Sequence, residues 1–390
     1  MRSEYRIGVP REILNGEYRV SALPETVEKY VEMGFAVLVE QSAGEGALRS
    51  DAEYESAGAE IVEDPAELFR RSDLVLKVKQ PCFNADLGRH EVEMLREGAV
   101  LIAFLHPVAP YNHDTVRLLR DRQITALTMD GVPRTSRAQA MDALTSMSTI
   151  AGYKAVLIGA NLFPKPIPMT TTVIGMVPPA RVLVVGAGVV GLQAIATAKR
   201  LGGSVKAVDI REDAREAAAS LGVKVAGYEV PPELATGEGG YARALPPDWL
   251  EKERAALAPL VEDADIVILS ALVPGEAAPK LVAGETVERM RPGAVVIDVA
   301  IDQGGNCEAT EPGKETRVGR ATICGSYNIP GTMPVHASWL YANNLLEYVR
   351  NLFKNGVGEP DLDDDIVRHS LVTHQGRIVH RPTLQVIGPE

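Results

Sequence analysis

The run RVLVVGAGVVGLQAIATAKRLGGSVKAVDIR, residues 181–211, limits what this chain can fold into more than any other stretch of it. An apolar strand pattern ends at Gly186, and Gly186, Gly188 and Gly191 then form G-x-G-x-x-G at the start of a helical pattern. A second strand pattern closes on Asp209, 18 residues beyond the last glycine. Gly186 allows a tight turn, Gly188 lets backbone approach a pyrophosphate, and Gly191 lets the helix pack closely on the strand. The first N–H groups of that helix, with the positive end of its dipole, favour phosphate. Asp209 can accept hydrogen bonds from both hydroxyls of an adenosine ribose and would repel a 2′-phosphate, so the pattern predicts NAD(H) as cofactor in preference to NADP(H). The glycine triplet alone is a weak signal and a ligand-free Gly-rich turn is its plain alternative. Here strand, glycines, helix, strand and acid stand in register. Arg211 either softens the preference or is a solvated residue after a strand.

A chain of 390 residues exceeds one ordinary core, so two domains are expected. Strand-like runs at 6–10, 36–41, 74–79, 100–106 and 124–130 alternate with helical patterns at 24–34, 64–72 and 113–122. A second series has strands at 181–186, 204–209, 265–270, 294–300 and 321–326. Strands separated by helices of this length imply right-handed βαβ units and parallel sheets, and their unbroken apolar character fits sheets covered on both faces. The fold class is therefore α/β, with two Rossmann-like, doubly wound parallel-sheet domains joined by long helices. A helical segment over 136–163 serves as connector, and a helix over 336–353 is long enough to return to the first domain. That divides the chain into an N-terminal α/β domain, 1–140 plus 335–390, and a nucleotide-binding domain, 141–334. The tail reads as two short strands around Gln375-Gly376.

The net charge of −12 argues against a nucleic-acid partner, which demands surplus Lys and Arg. No run of eighteen apolar residues occurs and the N-terminus has no signal-peptide pattern, so neither membrane insertion nor export is expected. The three cysteines, Cys82, Cys307 and Cys324, are odd in number and far apart, which points to a reducing cytoplasm and away from disulfides or a Cys-based zinc site.

With these residues in view, nearly the whole chain resembles two related families, alanine dehydrogenase and the soluble NAD(H)-binding alpha subunit (domain I) of proton-translocating NAD(P) transhydrogenase. Three stretches are similar to the transhydrogenase component in particular. They are PRTSRAQAMDALTSMSTIAGYKAV at 133–156, the loop-like GEGGYARAL at 237–245, and the group ALVPGEAAPKLV, DQGGNCE and NIPGTMPVHASWLYANNLL. The resemblance implies direct hydride transfer between NADH and NADP⁺ bound on a partner, coupled to proton translocation. It assigns Arg134, Gln139 and Asp142 to the nicotinamide end, and Thr135, Ser136, Ala140 and Met141 to cofactor binding beside them. Asp209, Ile210 and Arg211 would take the adenosine ribose, while Val189, Gly240, Tyr241 and Leu272 line the cofactor. By the same resemblance the partners are membrane-embedded and NADP(H)-binding subunits, the chain is a homodimer, and it is cytoplasmic, peripheral on the inner face of the cell membrane. The plain alternative for 134–142 is a polar helix start, with Ser136 as N-cap and Arg137 solvated.

A competing function is written in the same residues. Alanine dehydrogenases use an Arg and a Lys for the substrate carboxylate, a His as acid/base and an Asp near the reacting carbon; the matching positions are Arg19, Lys79, His106 and Asp302. Lys79 and His106 close predicted parallel strands, where α/β sites commonly lie. As structural residues, Arg19 would be a surface group, Lys79 a partner for a carboxylate, and His106 a strand end. A non-catalytic NAD sensor is a third class, and predicts binding without turnover. The RAQAMD and GGYA stretches weigh toward the transhydrogenase component.

Overall fold

The computed structural model describes residues 5–237, 240–273 and 277–388; Glu238 and Gly239 of the GEGGYARAL stretch and residues 274–276 of the ALVPG run lie outside them. The chain forms two compact units, Met1–Met147 with Gly331–Glu390, and Ser148–Pro330.

In the first unit the strands Arg6–Val9, Ala36–Glu40, Ala59–Val62, Leu74–Lys79, Val100–Phe104 and Thr125–Thr128 are parallel. Across the sheet they lie in the order third, second, first, fourth, fifth, sixth, and the tail strands Leu371–His374 and Arg377–Ile378 complete that edge antiparallel. Between the two tail strands Gln375 and Gly376 both have positive φ, 48° and 71°, the conformation a two-residue hairpin turn requires. VLIAF is buried along its whole length, as a strand covered on both faces must be.

The second unit repeats the scheme. Arg181–Val185, Ser204–Val208, Lys224–Val225, Ile266–Leu269, Val295–Asp298 and Ala321–Cys324 are parallel in the same third-second-first-fourth-fifth-sixth order, with Glu315–Val318 antiparallel at one edge. One face packs the helix Val189–Arg200 and the second half of Ala143–Leu162 on Val182, Val184, Ile266 and Ile268. The other face packs the helix Pro247–Glu262 on Leu183, Val185, Val267 and Leu269.

Local structure departs from the sequence reading in two places. The helix expected over 136–163 begins at Ala143. Asp142 ends the preceding loop, its carboxylate accepting from Thr145 N at 2.8 Å and Thr145 Oγ1 at 2.6 Å, so Asp142 and not Ser136 caps this helix. Upstream of it, Met141 closes a single tight turn, Gln139–Met141. The Pro-rich break after residue 163 contains a two-stranded hairpin, Thr170–Thr172 with Gly175–Val177.

Within the first sheet, Lys77 sits mid-strand with no exposed side-chain surface, 2.9 Å from Glu91 and 3.3 Å from Glu12. Glu12 also accepts from Val78 N at 2.6 Å, and Glu91 from Cys82 N at 2.9 Å. Burial lifts the Glu12 carboxyl to about 7 against the pull of Lys77, while Glu12 and Glu91 hold the Lys77 ammonium above the ordinary lysine range despite its burial. Such a cluster tolerates no missing member, because the remaining charges stay buried and uncompensated. Lys77→Met should therefore cost about 3–5 kcal/mol, measured as a fall in the urea midpoint; an unchanged midpoint would mean that the carboxyls take up protons at no cost.

Candidate functional site

In both sheets the first strand lies between the second and the fourth, so the chain leaves these neighbours in opposite directions and a crevice opens beyond their carboxyl ends. In the second unit that point is Gly186, which follows the strand Arg181–Val185. Its φ is +88°, and a Cβ there would lie 2.9 Å from the backbone of Ser270 and Ala271. A Cβ on Gly191 would stand 1.8 Å from Gly186 O, so helix and turn could not close. Gly188 differs: the nearest group to its Cβ position is Arg211 Nη2 at 3.9 Å. The protein leaves room at Gly188, as backbone that must meet a pyrophosphate requires, and the helix Val189–Arg200 starts one residue later. The site fits a dinucleotide.

Asp209 follows the strand Ser204–Val208 and is 8% exposed. Its Oδ2 accepts from Ala187 N at 2.7 Å, which ties the acid to the glycine turn. Arg211 occupies the rest of it: Oδ1 accepts from Arg211 N at 2.9 Å and Nε at 3.1 Å, and Oδ2 from Nη2 at 2.9 Å. Arg211 is thus no solvated residue. Its Nη1 also donates to Gly240 O at 3.2 Å, linking the ribose acid to the GGYA stretch. A ribose seeking Asp209 competes with this fork. Val189, Ile210, Tyr241 and Leu272 are half-buried around the same unit's crevice elements, and Gly240 is exposed.

The far wall is set by Asp298 and Asn306. Asp298, fully buried, accepts from Asn306 N at 3.1 Å, Cys307 N at 3.0 Å and Thr310 Oγ1 at 2.9 Å. Asn306 in turn accepts from Ala271 N at 3.0 Å and donates to Ala271 O at 2.8 Å and Pro279 O at 2.9 Å. The GGNCE stretch therefore holds the backbone next to Leu272. Asp302 is exposed on the short turn Val299–Gln303.

One residue of this unit escaped the sequence reading. Glu253, on the helix Pro247–Glu262, is 7% exposed and has no hydrogen bond or ion pair among the described residues. Burial, and then the neighbouring Asp209 charge, push its carboxyl up to about 7. Nothing in an ordinary amphipathic helix pattern marks such a position.

The first unit carries the other candidate residues. Arg134, Thr135, Ser136, Gln139 and Ala140 are exposed, Met141 is buried, and Asp142 is the helix cap. Arg137 is not solvated, being paired with Asp364 and Asp365. Arg19 is no surface residue either. It is buried against both carboxylate oxygens of Glu17, with Nη1 2.9 Å from Met147 Sδ. Lys79 ends its strand, half-buried.

His106 follows the strand Val100–Phe104 with φ +44°, a costly conformation for this residue type. Asp130 enforces it. His106 Nδ1 lies 2.8 Å from Asp130 Oδ1, and His106 N and Thr128 Oγ1 both donate to Asp130 Oδ2, at 2.7 and 2.6 Å. Burial works to raise the Asp130 pKa, but His106 and Thr128 outweigh it and hold the carboxyl below its usual range. With Nδ1 committed, Nε2 is the ring atom left for proton exchange, and the side chain is 34% exposed.

Comparison with known proteins places this geometry in context. Family models of alanine dehydrogenase/PNT match the chain twice, the N-terminal domain over residues 8–151 and the C-terminal domain over 155–381. In Rhodospirillum rubrum, the first of the separate chains of the NAD(P) transhydrogenase alpha subunit is 42% identical over 378 residues, covering 96% of this chain and 98% of that one. An alanine dehydrogenase of Halomonas elongata is 33% identical over 393 residues, covering 99% and 97%. The crystal structure of transhydrogenase from Sinorhizobium meliloti matches with a TM-score of 0.83 at 37% identity, covering 96% of this chain and all of that one.

Glu253 supplies a test of the crevice electrostatics. Its raised carboxyl means that, between about pH 4 and about pH 7, the folded chain keeps a proton that the unfolded chain releases. Stability therefore falls as pH rises through that window, and Glu253→Gln should abolish that component. The variant should melt above wild type at about pH 8, with the gap closing toward about pH 4. A variant less stable at both ends would show a carboxylate that the fold stabilises.

Proposed function

This chain belongs to the alanine dehydrogenase/PNT family, and from that premise we propose that it is the NAD(H)-binding subunit of a proton-translocating NAD(P) transhydrogenase. Its cofactor is NAD(H), and its chemistry is oxidoreduction. The finer reading is that hydride passes from NADH on this chain directly to NADP⁺ on a partner subunit, coupled to proton movement through a membrane-embedded subunit. The greater identity to the transhydrogenase relative than to the alanine dehydrogenase supports it. Among the described residues no helix is long and apolar enough to cross a membrane, which accords with membrane partners supplying the crossing. We further take the chain to be a homodimer, held peripherally at the cytoplasmic face through those partners.

The observation that carries this reading is the stretch 134–140. It presents Arg134, Thr135, Ser136 and Gln139 to the outside while Arg137 and Asp142 are bound to the protein. Transfer between two nicotinamides needs no acid or base at the reacting carbon; it needs the rings held in near-attack geometry. Bound NADH supplies the hydride. Arg134 and Asp142 orient the carboxamide, and the Gln139 amide reaches toward the second nucleotide. Gln139→Asn keeps the amide and shortens its reach. It should leave NADH affinity within a few-fold of wild type while single-turnover transfer in the complex with the partner subunits falls about a hundredfold, as for a misplacement near 1 Å. Matched losses in binding and transfer would put Gln139 in the cofactor pocket alone.

A second reading, an NAD-dependent L-alanine dehydrogenase using Arg19, Lys79, His106 and Asp302, draws on one observation, the fixing of His106 by Asp130. That arrangement is what a general acid/base needs. The transhydrogenase reading expects no substantial NAD-dependent L-alanine oxidation by the isolated chain. Turnover of about one per second or faster, a typical enzymatic rate, if abolished by His106→Ala, would exchange the two readings.

A further inference from the structure

The exposed stretch 134–140 has few internal constraints. Its backbone closes tight turns, Thr135 N to Pro133 O at 2.9 Å, Ala138 N to Thr135 O at 3.0 Å and Met141 N to Ala138 O at 2.8 Å. Beyond these, two attachments to the C-terminal segment of the first unit hold it. Asn344, on the helix Pro334–Leu352, donates to Ala140 O at 2.8 Å. Arg137 reaches Asp364 with both ends of its fork, Nη1 to Oδ2 at 2.8 Å and Nη2 to Oδ1 at 3.1 Å, with further contacts to Asn351 Oδ1 at 3.1 Å and to Asp365.

A surface ion pair is usually worth little, because both partners must be ordered to form it. Asp364 is already ordered. Its side chain is 4% exposed and caps the helix Asp365–Ser370 through Ile366 N at 3.0 Å and Val367 N at 3.4 Å. It also accepts from Lys354 Nζ at 2.9 Å and Asn351 Nδ2 at 3.2 Å. These bonds, that of Arg137 foremost, hold its carboxyl well below the usual carboxylate range. The guanidinium thus meets a pre-built anion, and its planar fork fixes direction as well as distance.

We infer that Arg137 and Asp364 are a positioning pair, in which the C-terminal segment fixes the shape of 134–140 so that Gln139 meets the partner's nucleotide correctly. This rests on the transhydrogenase reading. Neither residue touches the reacting atoms; both act through the loop.

The test is Arg137→Lys, which keeps the charge and loses the fork, with Arg137→Ala beside it; both leave the Asp364 cap and its lysine in place. Four quantities are measured: melting temperature, NADH affinity of the isolated chain, amide exchange across 134–142, and single-turnover transfer with saturating partner subunits. Arg137→Lys should melt with wild type and bind NADH within about threefold, exchange faster across 134–142 only, and transfer hydride about tenfold or more slowly. Wild-type exchange and transfer in both variants would reduce the pair to an ordinary surface contact. Parallel loss of melting temperature, NADH affinity and transfer would make it structural and overturn the positioning role. If faster exchange leaves transfer unchanged, the anchor exists but does not position. If the wild-type chain transfers no hydride, the parent reading fails and the positioning role falls with it, a result the wild-type control separates from all the others.

Discussion

Parallel strands joined by right-handed crossovers must bury both faces, and a sheet that starts in its middle must send its crossovers both ways. Both units obey this constraint with the same strand order, and the chemistry-bearing loops follow from it. Gly186 and Asp209 leave adjacent strands at their carboxyl ends, as do Val9 and Lys79 in the first sheet. The crevice is a geometric residue of the topology; the side chains then decide what it is for.

Carboxylates do most of the local organising at these strand ends. Asp209 reaches the backbone of the glycine turn, Asp298 holds 306–310, Asp130 bends the chain at His106, and Asp142 starts a helix. Each accepts several hydrogen bonds from groups that are otherwise hard to satisfy, which is what makes a buried charge tolerable. Asp364 extends the pattern to the C-terminal end of the chain and binds it to the exposed stretch 134–140. The carboxyl groups with fewer such donors behave in the opposite way: Glu12 and Glu253 are driven toward the protonated form.

Much of this was legible before any coordinates. The glycine spacing, the acid after the second strand and the alternation of strands and helices lie within short windows, where local geometry and apolar periodicity dictate the result. The residue types of the second catalytic constellation could be named for the same reason. The state of those residues could not. Arg211 is two positions from Asp209, and whether its fork turns back or outward depends on the surrounding fold. Arg19 reads as a surface group because burying a charge requires a partner, and Glu17 two residues earlier supplies one only in this backbone conformation.

Sequence by itself determined the fold class, the dinucleotide loop, the cofactor acid and the family. These depend on steric rules and on hydrogen-bonding types carried by residues near one another in the chain. Tertiary structure alone decided that Asp142 and not Ser136 caps the long helix, that Glu253 is buried within reach of the Asp209 charge, and that Asp130 holds His106 across a gap of 24 residues. It also decided that Arg137 meets Asp364, 227 residues away. Such pairings are set by which strand lies next to which and by what burial leaves without water, and no local window contains that information.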